Sequence, residues 1–130
     1  MKTFRLFVTL FSISLALAVF VPKAQAVQCS GKPSIPGVIS ATPGPNKGQV
    51  TLTWNLSTNV DRYDVVFGYK SGSKPKDYTF GGLKIGNNNT NNYTVNFLGS
   101  GVQYYFRLQT FCGGTNRAAS LSSEVTAIAK

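Results

Sequence analysis

Apolar and polar residues alternate with a period of two in several short stretches of this chain. Val50, Leu52 and Trp54 alternate with Thr51 and Thr53. Tyr63, Val65, Phe67 and Tyr69 share one face of RYDVVFGY, and Tyr93, Val95 and Phe97 share one face further on. Tyr104, Phe106, Leu108 and Thr110 alternate with Tyr105, Arg107, Gln109 and Phe111. Such a period belongs to a β-strand with one buried face. Residues 38–42 and 77–80 are short edge-strand candidates, and residues 119–129 hold a last strand with Val125 as its core residue. Between these stretches lie PGPNKG (43–48), NLSTN (55–59), SGSKPK (71–76) and GGTNR (113–117), all turn or loop by composition. The Gly- and Asn-rich GGLKIGNNNTNN, residues 81–92, reads as a loop. Pro33 and Pro36 keep the segment before residue 38 out of a central strand. No helical period follows residue 26. The pattern predicts an all-β domain, a seven-stranded antiparallel sandwich.

The N-terminus follows a different pattern. Lys2 and Arg5 precede an uncharged apolar run, residues 6–21, and then Pro22, Lys23 and Ala24-Gln25-Ala26. This is the layout of a secretory signal peptide with a small-residue cleavage site. The run is shorter than the roughly 20 residues of a typical membrane-spanning helix. The expected division is a signal peptide at 1–26, cleaved after Ala26, and one domain at 27–130. An uncleaved membrane anchor is the alternative. No stable membrane span is expected after cleavage, and the mature product belongs outside the cell or on its surface.

Both cysteines, Cys29 and Cys112, follow that site. An exported chain meets an oxidising compartment, so an even count points to one disulfide. Lipidation of Cys29 is the rival, although the bulky Gln28 stands where a small residue is needed. Residues 27–130 carry ten Lys and Arg against four acidic residues, a net charge of +6. That charge favours acidic partners. The basic residues are scattered apart from Lys70, Lys74 and Lys76 around one turn, with no interleaved aromatics, so nucleic acid is not expected.

The residues in this order resemble the fibronectin type III family over residues 33–129. IPGVISA is similar to the family's proline-led first strand, and VTLTW to its second strand, which ends in a core tryptophan. VDRYDVVFGY resembles the third strand. LGSGVQYYFRL resembles the leucine-x-proline-glycine-x-x-tyrosine motif and the strand after it, with Ser100 in place of the proline. The resemblance implies an immunoglobulin-like sandwich in which Tyr104 is the tyrosine corner, its hydroxyl bonded to backbone at 98–101. Trp54, Tyr63, Val65, Phe67, Phe106 and Leu108, with Tyr93, Val95 and Phe97, then read as core. It also implies that the loops after the second and sixth strands, 55–60 and 113–118, cluster at one end. Asn55, Ser57, Asn59, Thr115, Asn116 and Arg117 are the polar groups there that suit sugars or peptide backbone.

Catalytic chemistry has little to draw on. The chain has no histidine, which removes the commonest general base and metal ligand. Asp61 and Asp64 are a formal carboxylate pair, but they read as surface charges near Arg62. No cofactor or metal site is expected. Three Asn-x-Ser/Thr sequons begin at Asn55, Asn88 and Asn92. The outward residues Tyr105, Phe111 and Val66 form a second candidate surface. The expected function is that of a secreted or cell-surface binding module, without catalysis, recognising a protein or polysaccharide. A structural subunit that self-associates is the alternative.

Overall fold

The computed structural model describes residues 29–37, 39–113 and 118–130. Seven strands run in chain order: β1 (Ile39–Pro43), β2 (Val50–Trp54), β3 (Arg62–Gly68), β4 (Phe80–Ile85), β5 (Asn92–Val95), β6 (Gln103–Phe111) and β7 (Val125–Ile128). They pair antiparallel in two sheets, β1-β2-β5 and β4-β3-β6-β7. The sheets face each other as a sandwich, and β1 lies close to β7 along one side. The expected signal peptide lies outside the described residues. Among the described residues, no helix is long and apolar enough to cross a membrane.

The alternating residues fill the space between the sheets. Val50, Leu52 and Trp54 enter from β2, Val95 from β5, Tyr63 and Val65 from β3, and Tyr104, Phe106 and Leu108 from β6. Burying each Val or Leu side chain contributes about 1.5–3 kcal/mol, so these rows hold the sandwich together. The registers keep them aligned: Val50 faces Val95, Val65 faces Leu108 and Tyr104 faces Ala127. Trp54 and Tyr63 meet with ring centroids 5.3 Å apart. Phe67 is only half-buried and stacks on Phe106 and Phe80.

Two polar ties fix the corners. The Gly99 N–H donates to Tyr104 Oη at 2.9 Å, closing the turn that precedes β6. Gly48 adopts φ +73°, and a Cβ there would stand 2.7 Å from the Leu98 carbonyl oxygen, so only glycine fits this crossing. At the other end Cys29 and Cys112 form a disulfide with a Cα–Cα distance of 5.6 Å. A sulfur in that bond is not available for a lipid thioether. The buried Thr110 hydroxyl donates to the Ser34 carbonyl at 2.6 Å and holds the same N-terminal segment against β6.

Several boundaries differ from the sequence expectation. Residues 77–80 do not form the expected strand. Pro75–Asp77 is a short 3-10 turn, held by the Asp77 carboxylate, which accepts the Ser73 and Lys74 N–H groups. The strand begins at Phe80 and takes in residues 81–85 of the stretch expected as a loop. Leu83 and Ile85 find partners in Val65 and Tyr63, and this pairing outweighs the low strand propensity of Gly81 and Gly82. β5 stops at Val95, so Phe97 is not core: it is 103% exposed at φ +62°. In the last strand Val125, half-buried, packs against the core as expected, and Ala127 and, just past the strand, Ala129 are the fully buried positions, small enough to fit beside Tyr104.

The disulfide closes a loop spanning 83 positions, so reduction should lower the unfolding free energy by about 4 kcal/mol on the chain-entropy view, measured by urea titration with and without reductant. Tyr104→Phe removes the Gly99 bond. Gly99 is exposed and water can replace the lost partner, so the same titration should show a loss of only about 1 kcal/mol.

Candidate functional site

The loop after β2 and the start of β3 form one end of the domain, beside the disulfide. Asn55 stands at the rim of an open cup of about 470 Å³ with Ser40, Thr53, Asn91 and Asn92. Asn92 Nδ2 donates to Asn91 Oδ1 at 3.0 Å, and the Ser40 and Thr53 hydroxyls pair at 2.5 Å. The cup offers amides and hydroxyls without a formal charge, a lining suited to sugar hydroxyls or peptide backbone. Asn59 has a different task. At φ +60° its Oδ1 accepts both the backbone N–H and the hydroxyl of Ser30, so it anchors the N-terminal segment. The Ser57 N–H donates to Tyr63 Oη at 2.9 Å, and the Ser57 hydroxyl is buried. The structure therefore separates Asn55 from Ser57 and Asn59, which sequence had grouped. Thr115, Asn116 and Arg117 lie outside the described residues.

Asp61, Cys29 and Cys112 bring three ligand-type atoms within 4.8 Å of one another. The two sulfurs are bonded to each other and carry no thiolate for a metal. The Asp61 carboxylate accepts the Gly113 N–H at 2.7 Å. Asp64 is not an exposed surface charge: it is buried against Arg62, with Arg62 Nε 2.6 Å from its Oδ1.

The outer face of β3 and β6 is covered, which corrects its reading as an exposed patch. Val66 is 3% and Phe111 7% exposed, and Tyr105 is half-buried. The Arg62 guanidinium lies 4.2 Å from the centre of the Phe111 ring. Arg107, opposite Val66 in register, donates Nε to Tyr78 Oη at 2.8 Å and Nη1 to the Ser122 carbonyl. Tyr78 Oη stands 2.5 Å from Glu124 Oε2, and Glu124 also accepts from Ser71 Oγ and the Gly72 N–H. The β3–β4 connection thus folds onto the sheet through one charged network. Parity gave the direction of these side chains, but nothing in their spacing revealed a partner about 50 residues away.

Burial, and next the hydrogen bond to Glu124, push the Tyr78 hydroxyl up to about 12. Burial also raises the Glu124 carboxyl. The donors from Ser71, Tyr78 and Gly72, with the Arg107 charge, outweigh it and leave the carboxyl below its ordinary value. A carboxyl lowered in the fold adds stability above its unfolded pKa, near 4.3 for Glu. That stability is lost as the pH falls through the folded value. The lowered Asp77 carboxyl, held by the Lys74 and Ser73 N–H groups, acts in the same direction. The urea midpoint should therefore fall on acidification below about pH 4.3, and Glu124→Gln should flatten that dependence while lowering the midpoint at neutral pH.

Sequence reasoning missed a third region. Tyr69 is 51% and Phe80 38% exposed, and their rings meet edge to face at 5.6 Å. They continue the aromatic cluster of Phe67, Tyr104 and Phe106 out to the surface, at the end of the sandwich where Phe97 stands. The only sequence signal was the placement of each ring beside a turn.

No protein-family model and no curated protein matches the sequence. Solved structures do. An Fn3-like protein from Clostridium thermocellum is 25% identical, with a TM-score of 0.62 over 77% of this chain and 96% of that one. The FN1–FN3 domains of chicken CNTN1 are 17% identical, with a TM-score of 0.56 over 76% of this chain and 34% of that one. The fn3 domain of human collagen alpha-1(XX) is 12% identical, with a TM-score of 0.54 over 77% and 87%. With the strand order, the Gly99–Tyr104 corner and the core tryptophan already in place, the described part of the chain is a fibronectin type III-like domain.

Proposed function

We propose that this protein is an exported, non-catalytic binding module that recognises a protein or polysaccharide outside the cell. Export rests on the charged, apolar and small-residue layout of residues 1–26, and the Cys29–Cys112 disulfide is consistent with an extracellular location. The observation that carries the absence of catalysis is the state of the four acidic side chains. Asp61 holds Gly113, Asp64 holds Arg62, Asp77 caps the turn after Lys74, and Glu124 holds Tyr78 and Arg107. With no histidine in the chain, no free general base remains among these groups. Recognition then falls to the ends of the sandwich, where loops and rings are open to solvent.

Self-assembly through sheet edges is less well supported. The edge strand β4 is six residues long, its pairing with β3 shifts register between Val65 and Phe67, and Gly82 adopts φ +73°. Such irregular edges resist pairing with a second strand.

Crosslinking of the exported protein on its native cells, followed by mass spectrometry, tests the module. The expected result is a foreign protein or glycan attached at one end of the sandwich. Crosslinks only between copies, through Tyr105 or Lys74 and Lys76, would contradict it, as would turnover of a substrate by the purified protein.

A further inference from the structure

Phe97 presents an anomaly that packing does not explain. A bulky residue rarely adopts a left-handed backbone, and Phe97 does so at φ +62° with its side chain entirely in solvent. Strain of this kind persists where the surrounding structure imposes it, and it clusters at ligand sites. Here the surroundings are two adjoining cavities. On one side lies an apolar cleft of about 270 Å³, walled by Phe67, Tyr69, Phe80, Val102 and Tyr104. On the other lies a polar cavity of about 480 Å³ with Lys47, Gln49, Asn96 and Ser100. Phe97, its side chain in solvent, belongs to the lining of both.

The lining narrows the ligand class. Aromatic faces attract cations, but Lys47 lines the polar cavity, the exposed Lys70 follows Tyr69, and the domain is positive overall. None of the four acidic side chains lines either cavity. The charge therefore selects an anion. The polar side also keeps unused donors. Each primary amide nitrogen carries two N–H groups. Gln49 Nε2 uses one on Asn96 Oδ1, and Asn96 Nδ2 uses one on the Thr94 carbonyl. A ligand that fits must lay an apolar face on rings, offer hydroxyls to amides and carry negative charge. A pyranose ring has a C–H face and a hydroxyl edge, and a uronic or sulfated sugar adds the charge. A linear chain of them can place successive units in the two adjoining cavities.

We infer that the Phe97 ridge, with the apolar cleft and the Lys47 cavity beside it, is a binding site for a linear acidic polysaccharide. This rests on the reading of the protein as a binding module and names the ligand class and the site.

The test is calorimetric titration of the purified exported protein with polygalacturonate, alginate and heparan sulfate, and with neutral β-glucan and mannan, at low and high salt. At least one of the three acidic polymers should bind, more weakly as salt rises, and the neutral polymers at least tenfold more weakly. Phe97→Gly should weaken that binding at least tenfold. It should leave the thermal midpoint unchanged or raised, because glycine relieves the left-handed backbone. A residue held only for structure would show the opposite pair of effects. Lys47→Gln should weaken binding and reduce its salt dependence. The inference is overturned if no acidic polymer binds, if neutral polymers bind as well, if Phe97→Gly binds undiminished, or if single-stranded nucleic acid or a proline-rich peptide occupies the site instead. Should the protein still capture a partner on native cells with Phe97→Gly as well as without it, this site fails and the module reading stands. Should the unaltered protein bind no acidic polymer and capture nothing on native cells, both fail.

Discussion

The whole domain depends on two rows of side chains closing on each other across the sandwich: Val50, Leu52 and Trp54 from β2, and Tyr104, Phe106 and Leu108 from β6. They alternate because a strand shows every second residue to the same side. Removing that surface from water sets the spacing of the sheets and the register of each pair. Once those rows are buried, loops and outer faces are left to satisfy their own polar groups. The Gly99–Tyr104 bond closes one corner, while the disulfide and the Thr110–Ser34 bond close the other end. Charge serves the same purpose on the outer face of β3 and β6, where Arg107, Tyr78 and Glu124 tie down the β3–β4 connection.

This division of labour bears on function. Asp61 and Glu124 tie connections to the sheet, Asp64 pairs with Arg62 on its own strand and Asp77 closes its own turn, and a carboxylate that already accepts three donors, as Glu124 does, is poorly placed to take a substrate's proton. What stays open is the Asn55 cup at one end and the aromatic ridge at the other. The two differ in chemistry. The cup is neutral and polar, whereas the ridge combines rings, amides and a lysine.

Much of the fold was legible because β2, β3 and β6 alternate strictly and face a core. The strand at Phe80–Ile85 was not, since Gly81 and Gly82 argue against it locally and only pairing with Val65 and Tyr63 makes it form. Phe97 failed for the opposite reason. It continues the alternation of Tyr93 and Val95, but the chain turns into a left-handed conformation after β5 and the ring leaves the core. Val66 and Phe111 had the correct outward direction, and their burial depends on Arg62 and the Tyr78 network, which periodicity does not encode. Of the described loop residues grouped with it from sequence, Asn59 and Ser57 bond back to Ser30 and Tyr63, whereas Asn55 opens onto a cup.

The central claim is that recognition occurs at an end of this sandwich and not along its edges. Hydrogen exchange read by mass spectrometry tests it most directly, comparing the exported protein alone with the same protein bound to its native cell surface. The account predicts new protection around Tyr69–Thr79 and Asn96–Tyr104, with Gly82–Ile85 of the edge strand β4 and the edge strand β7 unchanged. Protection running along β4 or β7, with the Phe97 ridge unaffected, would contradict it.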